Sequence, residues 1–364
     1  MVEDSNIKTT VSPFAIREGE IKVFDGKDGY VSMNQIVQKI NVGHINDLHF
    51  RIMELVNQFE FITSRQLFKL LEREKIEVKS QDKLNNKLEQ LVKTKILTRY
   101  YFNSEDGKGI YRVYCLEKMG KYLLSSRGIE CKWQPTDNTK PVAMIKKRLA
   151  GNQLLIAYME KVKAFDSYEV KPPITAKTAN KTFKATGGKV TLKKALKSID
   201  FIFEAIRRED DWEKKLVEKM KLYKDFYENF MPMDSGFKTL PQLILLCEDE
   251  KHMAEVFKVI VMNGLEINKI NLYYTTDLRQ NEKSLDKSLI TFKLDEATNK
   301  YKIENVEIKL LGSKIPLLRG IFYWFLFGFL KLITIASSLS NRYLESAVSV
   351  LIGSISSSTL SSKW

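Results

Sequence analysis

Asp200 and Glu204 stand four residues apart in SIDFIFEAI, an apolar-rich run that suits a β-strand. That spacing places both carboxylates on one strand face. Glu209, Asp210 and Asp211 follow, and then Lys214, Lys215, Lys219 and Lys221 on a helical pattern. Carboxylates on a strand ahead of lysines on a helix are the residue set of metal-dependent phosphodiester hydrolysis. There, the acids hold Mg²⁺ and a lysine assists the attacking water. The usual arrangement needs a lysine two positions after the acid on the same strand, and position 206 is Ile. DDWEKKLVEKMK also has a plainer reading, as a helix with acids at its N-terminus and bases beyond them, matching the dipole. The chain is therefore expected not to be an enzyme, with Asp200, Glu204 and Lys219 as its catalytic candidates.

A second chemistry is carried by SQDKLNNKLEQLVKTK. From Ser80 this segment has helical spacing, burying Leu84, Leu88 and Leu91 and presenting Lys83, Asn86, Lys87, Gln90 and Lys93. Lysines suit phosphates, whereas Asn and Gln can pair with base edges in the major groove. Arg99, Lys108 and Arg112, in the aromatic-rich segment that follows, add cations beside this face. The same residues also fit a solvated helix face that binds protein.

Residues 171–198 form a third candidate, with eight lysines and no acid, interleaved with Thr, Gly and Pro. They are expected to form a mobile cationic loop between strands, adding salt-sensitive affinity for a polyanion through counterion release. The alternative is an insertion with no specific role.

The 364-residue chain carries 59 Lys and Arg against 45 Asp and Glu, a formal net charge of +14, which favours an anionic partner. Its three cysteines and three histidines form no zinc-ligand spacing, and no phosphate-binding or dinucleotide loop appears, so neither metal nor cofactor is expected. Scattered cysteines and a polar, mixed-charge start fit reduced thiols in a cytoplasmic protein.

The elements that must position these residues begin near Asn46. Residues 1–43 read as an irregular N-terminal arm with at most a small hairpin, and no helix is expected before Asn46. INDLHFRIMELVNQFEF and ITSRQLFKLLERE each place leucines and isoleucines on one helical face, the second with Thr63 or Ser64 as N-cap. The helix from Ser80 comes third. ILTRYYFNSEDGKGIYRVYCL follows as a hairpin around Glu-Asp-Gly-Lys-Gly, and EKMGKYLLSSRGI closes as a helix. This order describes a helix-rich winged helix-turn-helix over 44–131, whose third helix reads duplex DNA. A polar linker, 132–144, leads to an α/β domain over 145–312. There, FDSYEV, SIDFIFEAI, PQLILLCED and NKINLYYTT alternate with helical segments, which implies a parallel central pair.

Taken together, IYRVYCLEKMGKYLL, FIFEAIRRED, EKMKLYKDFY and PQLILLCED resemble the replication-relaxation family of plasmid and mobile-element proteins, which includes MobC-like mobilisation factors. The resemblance covers about residues 46–275 and matches Glu204, Lys219 and Tyr223 to that family's acidic strand and Lys-x-x-x-Tyr helix. The family's usual Pro-Asp is replaced here by Ser198-Ile199-Asp200. It implies a degenerate restriction-endonuclease-like α/β domain and an accessory DNA-binding role in replication, DNA relaxation or conjugative mobilisation. Relaxase or replication proteins would be its partners. The alternatives are a Mg²⁺-dependent nuclease of the PD-(D/E)xK type and a transcriptional repressor.

The tail, 313–364, is read as hydrophobic helices. RGIFYWFLFGFLK lies within a 22-residue apolar span, 315–336, long enough to cross a bilayer. This span is expected to contact the inner face of the cell membrane or to serve as a partner or oligomer surface.

Overall fold

The spacing of apolar residues from Asn46 onward produces the helices it predicts. The computed structural model describes residues 11–105, 111–131, 133–194, 197–232, 236–237, 239–295 and 300–308. Helix α2 (Asp47–Phe59) buries Ile52, Leu55 and Val56. Helix α3 (Ser64–Arg73) starts at a capping box in which Thr63 and Gln66 satisfy each other's backbone N–H groups. Helix α4 (Gln81–Lys93) is capped by Ser80 and seats Leu84, Leu88, Leu91 and Val92. Strands β3 (Leu97–Asn103) and β4 (Arg112–Leu116) pair antiparallel, and α5 (Lys118–Ser126) follows. The order is three helices, an antiparallel strand pair and a fourth helix.

The N-terminal arm departs from expectation. Strand β1 (Ile21–Phe24) pairs antiparallel with β3, and β2 (Ile62–Thr63) pairs with β4, giving a four-stranded sheet in the order β1-β3-β4-β2. Helix α1 (Met33–Asn41) forms before Asn46, started by a capping box between Ser32 and Gln35. The hairpin expected in this arm is replaced by one strand, because β3 offers a longer pairing edge than the Asp-Gly turns can organise locally.

The expected linker is also ordered. Residues Pro135–Thr139 make a 3-10 turn in which Asn138 donates to Glu117 at 3.1 Å and accepts from the Trp133 indole at 3.2 Å. Lys22 donates to the Asn138 and Lys140 carbonyls, each at 2.8 Å. Helix α6 (Val142–Lys161) begins directly afterwards and is buried over most of its length.

Helix α6 packs on both halves of the chain. On one side, Gln66 donates to the Leu149 carbonyl at 2.8 Å, and the Asn152 amide donates to the Phe59 and Phe61 carbonyls at 3.2 and 2.8 Å. On the other, the Tyr158 ring lies 5.0 Å from Phe203 and 6.3 Å from Phe201. The sheet beneath has the order β11-β10-β9-β8-β5. Strands β5 (Phe165–Glu169), β8 (Gly188–Lys194) and β9 (Lys197–Ala205) are successively antiparallel. Strands β9, β10 (Gln242–Cys247) and β11 (Leu272–Thr276) are parallel, with α7 (Trp212–Glu228) and α8 (Glu250–Met262) between them. The α/β reading of this half thus holds as a mixed sheet with helices. A short helix α9 (Asp277–Glu282) follows β11.

The lysine-rich stretch is not a loop. It carries β6 (Pro173–Ala176), β7 (Lys181–Lys184) and β8, with β6 and β7 paired antiparallel. Its apolar residues explain why: Ile174, Phe183, Val190 and Leu192 point inward while Lys181, Lys184 and Lys193 stay exposed. Residues Ile290–Asn305 belong to a second compact unit, in which β12 (Leu289–Asp295) and β13 (Lys300–Val306) are neighbours bridged by Lys293 and Glu304 at 2.8 Å. The hydrophobic span 315–336 and the rest of the tail lie outside the described residues. Among the described residues no helix is long and apolar enough to cross a membrane.

Gly151 of α6 meets Gly187 at backbone distance, since a Cβ on Gly151 would sit 2.5 Å from the Gly187 Cα. Gly187 itself donates to the Phe203 carbonyl at 2.8 Å, so neither backbone can retreat. Gly151→Ala should therefore destabilise the protein by about 1–3 kcal/mol, the usual range for overpacking. The readout is a lower urea midpoint at unchanged slope.

Candidate functional site

Two surfaces gather the residues singled out by type and spacing. The first is the outer face of α4. Lys83, Asn86, Gln90 and Lys93 are exposed there, and Lys87 is half-buried. Gln90 is also fixed from beneath, its Oε1 lying 3.1 Å from Nε2 of the buried His49. Burial is the main cause that lowers the His49 pKa, which keeps the ring neutral under this amide.

Arg99 does not join that face. Its side chain is only 11% exposed and pairs with Glu89 at 2.5 Å and Asp25 at 2.9 Å. Burial works against its charge, yet Glu89 and Asp25 together raise its pKa. Arg99 is thus the bolt between α4, β3 and the turn after β1, a structural cation where a DNA contact was expected. Arg112 is exposed on β4 and shares Asp25 at 3.0 Å. Lys108 lies outside the described residues.

The second surface is a cavity of about 140 Å³ between α6, the end of β9 and the first two turns of α7. Glu204 lies in its wall, 5% exposed. It accepts from the Thr186 N–H at 3.2 Å, the Thr186 hydroxyl at 2.7 Å and the Tyr223 hydroxyl at 2.7 Å. Lys219 Nζ lies 3.7 Å from the same carboxylate and donates to the Lys184 carbonyl at 2.6 Å. The Tyr223 hydroxyl is held well above its ordinary pKa, first by burial and then by the Glu204 charge, so it stays protonated as a donor. Glu204, Lys219 and Tyr223 thus come together around one carboxylate.

Asp200 does not join them. It faces β8 further along the strand, where Thr191 donates to it at 2.5 Å. Its separation from Glu204 along an extended strand is about 13 Å. Glu209 is likewise committed, bridging Lys147 and, at 2.9 Å, Lys215. Burial raises its pKa, but the hydrogen bonds from both lysines more than reverse this and hold it below the ordinary glutamate range. Among the described residues no group of three or more His, Cys, Asp or Glu is placed to hold a metal ion.

Sequence reasoning missed Thr186, Lys147 and Arg207 here. Arg207 is wholly buried, pairing with Asp277 at 2.9 Å and donating to the Ile206 carbonyl at 2.7 Å. The Gly187-Gly188 doublet was the available signal for Thr186, because it marks where the backbone turns into β8 against Gly151.

No protein-family model matches the chain, and no curated protein matches it. A solved structure of the restriction endonuclease FokI is similar to it at 9% identity, covering 63% of this chain and 41% of that one. The TM-score of 0.22 is too low to identify the fold from that likeness.

Beside the cavity, the Trp212 ring meets His252 edge-on at 5.0 Å, and the Glu248 N–H donates to His252 Nδ1 at 3.2 Å. Burial first, and then the charges of Arg208 and Arg207, push the His252 pKa from 6.5 down to about 3. The unfolded chain therefore binds more protons here than the folded one across that interval, and stability falls as pH drops from about 6.5 towards about 3. The raised pKa of the buried Glu248 acts in the opposite sense and is common to both proteins compared. His252→Gln should flatten the acid limb of the urea midpoint plotted against pH. In the same assay Arg99→Gln should lower the midpoint at neutral pH, whereas Lys83→Gln should leave it unchanged.

Proposed function

We propose that this chain is a DNA-binding protein that docks on duplex DNA through α4. In this reading it serves replication, relaxation or mobilisation of a plasmid or mobile element as an accessory factor and does not cut DNA itself. The observation that carries the proposal is the open face of α4, where Lys83, Asn86, Gln90 and Lys93 are exposed on a helix seated by four buried apolar residues. In a winged helix this is the helix that enters the major groove, with its amides at base edges and its ammonium groups on phosphates. The net charge of +14 supports the same partner. The accessory role is supported by the family resemblance at Glu204, Lys219 and Tyr223.

A second reading, a Mg²⁺-dependent nuclease, has one observation in its favour: Lys219 lies beside Glu204 in a cavity at a strand end. The donor set weighs against it. Both Glu204 oxygens already accept hydrogen bonds from Thr186 or Tyr223, Asp200 is engaged by Thr191, and Ile206 stands where the strand lysine is needed. In-line hydrolysis requires carboxylate oxygens free for the metal.

Fluorescence anisotropy with duplex from the element's own origin tests the first reading. Lys83→Ala and Lys93→Ala should each weaken binding to all sequences and reduce the slope of log K against log salt by about 1. Asn86→Ala should instead relax discrimination between sites by about 1–3 kcal/mol. Unchanged affinity in all three variants would sink the reading. With Mg²⁺ and supercoiled DNA, no nicking is expected from either the parent protein or Glu204→Ala. Nicking by the parent that disappears in Glu204→Ala would replace the first reading with the second.

A further inference from the structure

We propose that the cavity between α6, β9 and α7 is a binding site for a phosphate group, separate from the α4 surface. Its wall includes Lys147, Arg207, Lys215 and Lys219 as cations, with Thr186 and Glu204. Lys147 and Lys215 share the single carboxylate of Glu209, and Lys215 is also under the charges of Asp210 and Asp211. Arg207 is 0% exposed, and its Nε is a buried donor with no hydrogen-bond partner, although both terminal nitrogens of the guanidinium are satisfied. A buried, charged N–H without an acceptor is costly in a folded protein, and Arg207 is among the residues that line the cavity.

Three further features fix the ligand class. Trp212, Lys215, Leu216 and Lys219 line the cavity from the first two turns of a 17-residue helix, which brings two of the four cations to one wall. A volume of about 140 Å³ is smaller than the roughly 300–1,000 Å³ that encloses whole small-molecule ligands, so it admits a phosphate group but not a nucleoside. Glu204 adds a negative charge on one wall, which favours the singly charged phosphate of a diester over a dianion. The phosphate can come from a nucleic-acid strand or from free inorganic phosphate. Lysines and an arginine recognise both in the same way, as point charge and fork.

The test uses the full chain and melts it in sodium phosphate and in sodium chloride at equal ionic strength. Phosphate should raise the melting temperature above chloride for the parent protein. That difference should vanish in Lys215→Gln/Lys219→Gln, two surface-reaching side chains 50% and 22% exposed. Lys215→Gln alone, at the more exposed position, should lose part of it and guards against a misfolded double variant. A second arm measures binding of a short single-stranded oligonucleotide. About tenfold weaker binding by the double variant assigns the phosphate to nucleic acid, and an unchanged oligonucleotide affinity with the phosphate shift retained in the parent assigns it to free phosphate. Equal melting in phosphate and chloride, or an identical phosphate shift in parent and double variant, overturns the proposal. Lys83→Ala separates the two sites, since it should lose duplex affinity while keeping the phosphate shift.

Discussion

The contact of Gly151 with Gly187 is the constraint on which the rest of the molecule depends. Helix α6 can lie on the sheet at backbone distance only because neither residue carries a Cβ at the crossing. From that position Tyr158 reaches Phe201 and Phe203, while Gln66 and Asn152 tie the opposite side of the helix to the winged half. One helix therefore closes two cores. It also brings Lys147 to the rim of the α7 cavity and Lys146 to the N-terminal segment, so the chemistry at both places depends on the depth at which α6 is seated.

Much of this was legible in the residues. Helices α2 to α5 and the β3–β4 pair were readable because their leucines recur at helical spacing, Thr63 and Ser80 cap them, and aromatic runs flank a turn. Strands β9, β10 and β11 were readable because continuous apolar runs alternate with amphipathic helices. Strand β1 and the 133–144 segment were not, since each is stabilised by partners far away in the chain, β3 and Lys22. The strands within 171–194 were misread as a loop because lysine count outweighed alternation, although KTFK and GKVTLKK show the period of a strand with one buried face. Arg99 was misassigned for a related reason. Its partner Asp25 sits in the arm, and no local pattern predicts that the two meet. In the cavity, Glu204 and Lys219 stood out as an acid on a strand ahead of a lysine on a helix, whereas Arg207 and Lys147 carried no pattern at all.

The net charge of +14 also looks different once the cations are placed. Arg99, Lys146, Arg148 and Arg207 are buried or nearly so, each held by a carboxylate or a carbonyl. Removing the partner of such a cation is costly because the charge left behind has no water to turn to. These residues hold elements together and contribute little to the field outside. The charge that a polyanion meets comes from exposed lysines such as Lys83, Lys93, Lys181 and Lys184, which lie on two separate elements rather than on one continuous basic face.

The segment from Ser12 to Phe24 has a consequence for how the molecule is made. Ser12 donates to the buried Asp277, Ile16 donates to Glu248 at 3.1 Å, Glu20 pairs with Lys146 at 2.5 Å, and β1 then completes the edge of the winged sheet. Ser12 and Asp277 are 265 positions apart. On a ribosome the first of these residues emerges long before its last partner exists. Glu20 can pair once Lys146 has been made, Ile16 only after Glu248, and Ser12 only after Asp277. The contacts of this segment therefore become available stepwise, with the longest loop to close at its Ser12 end.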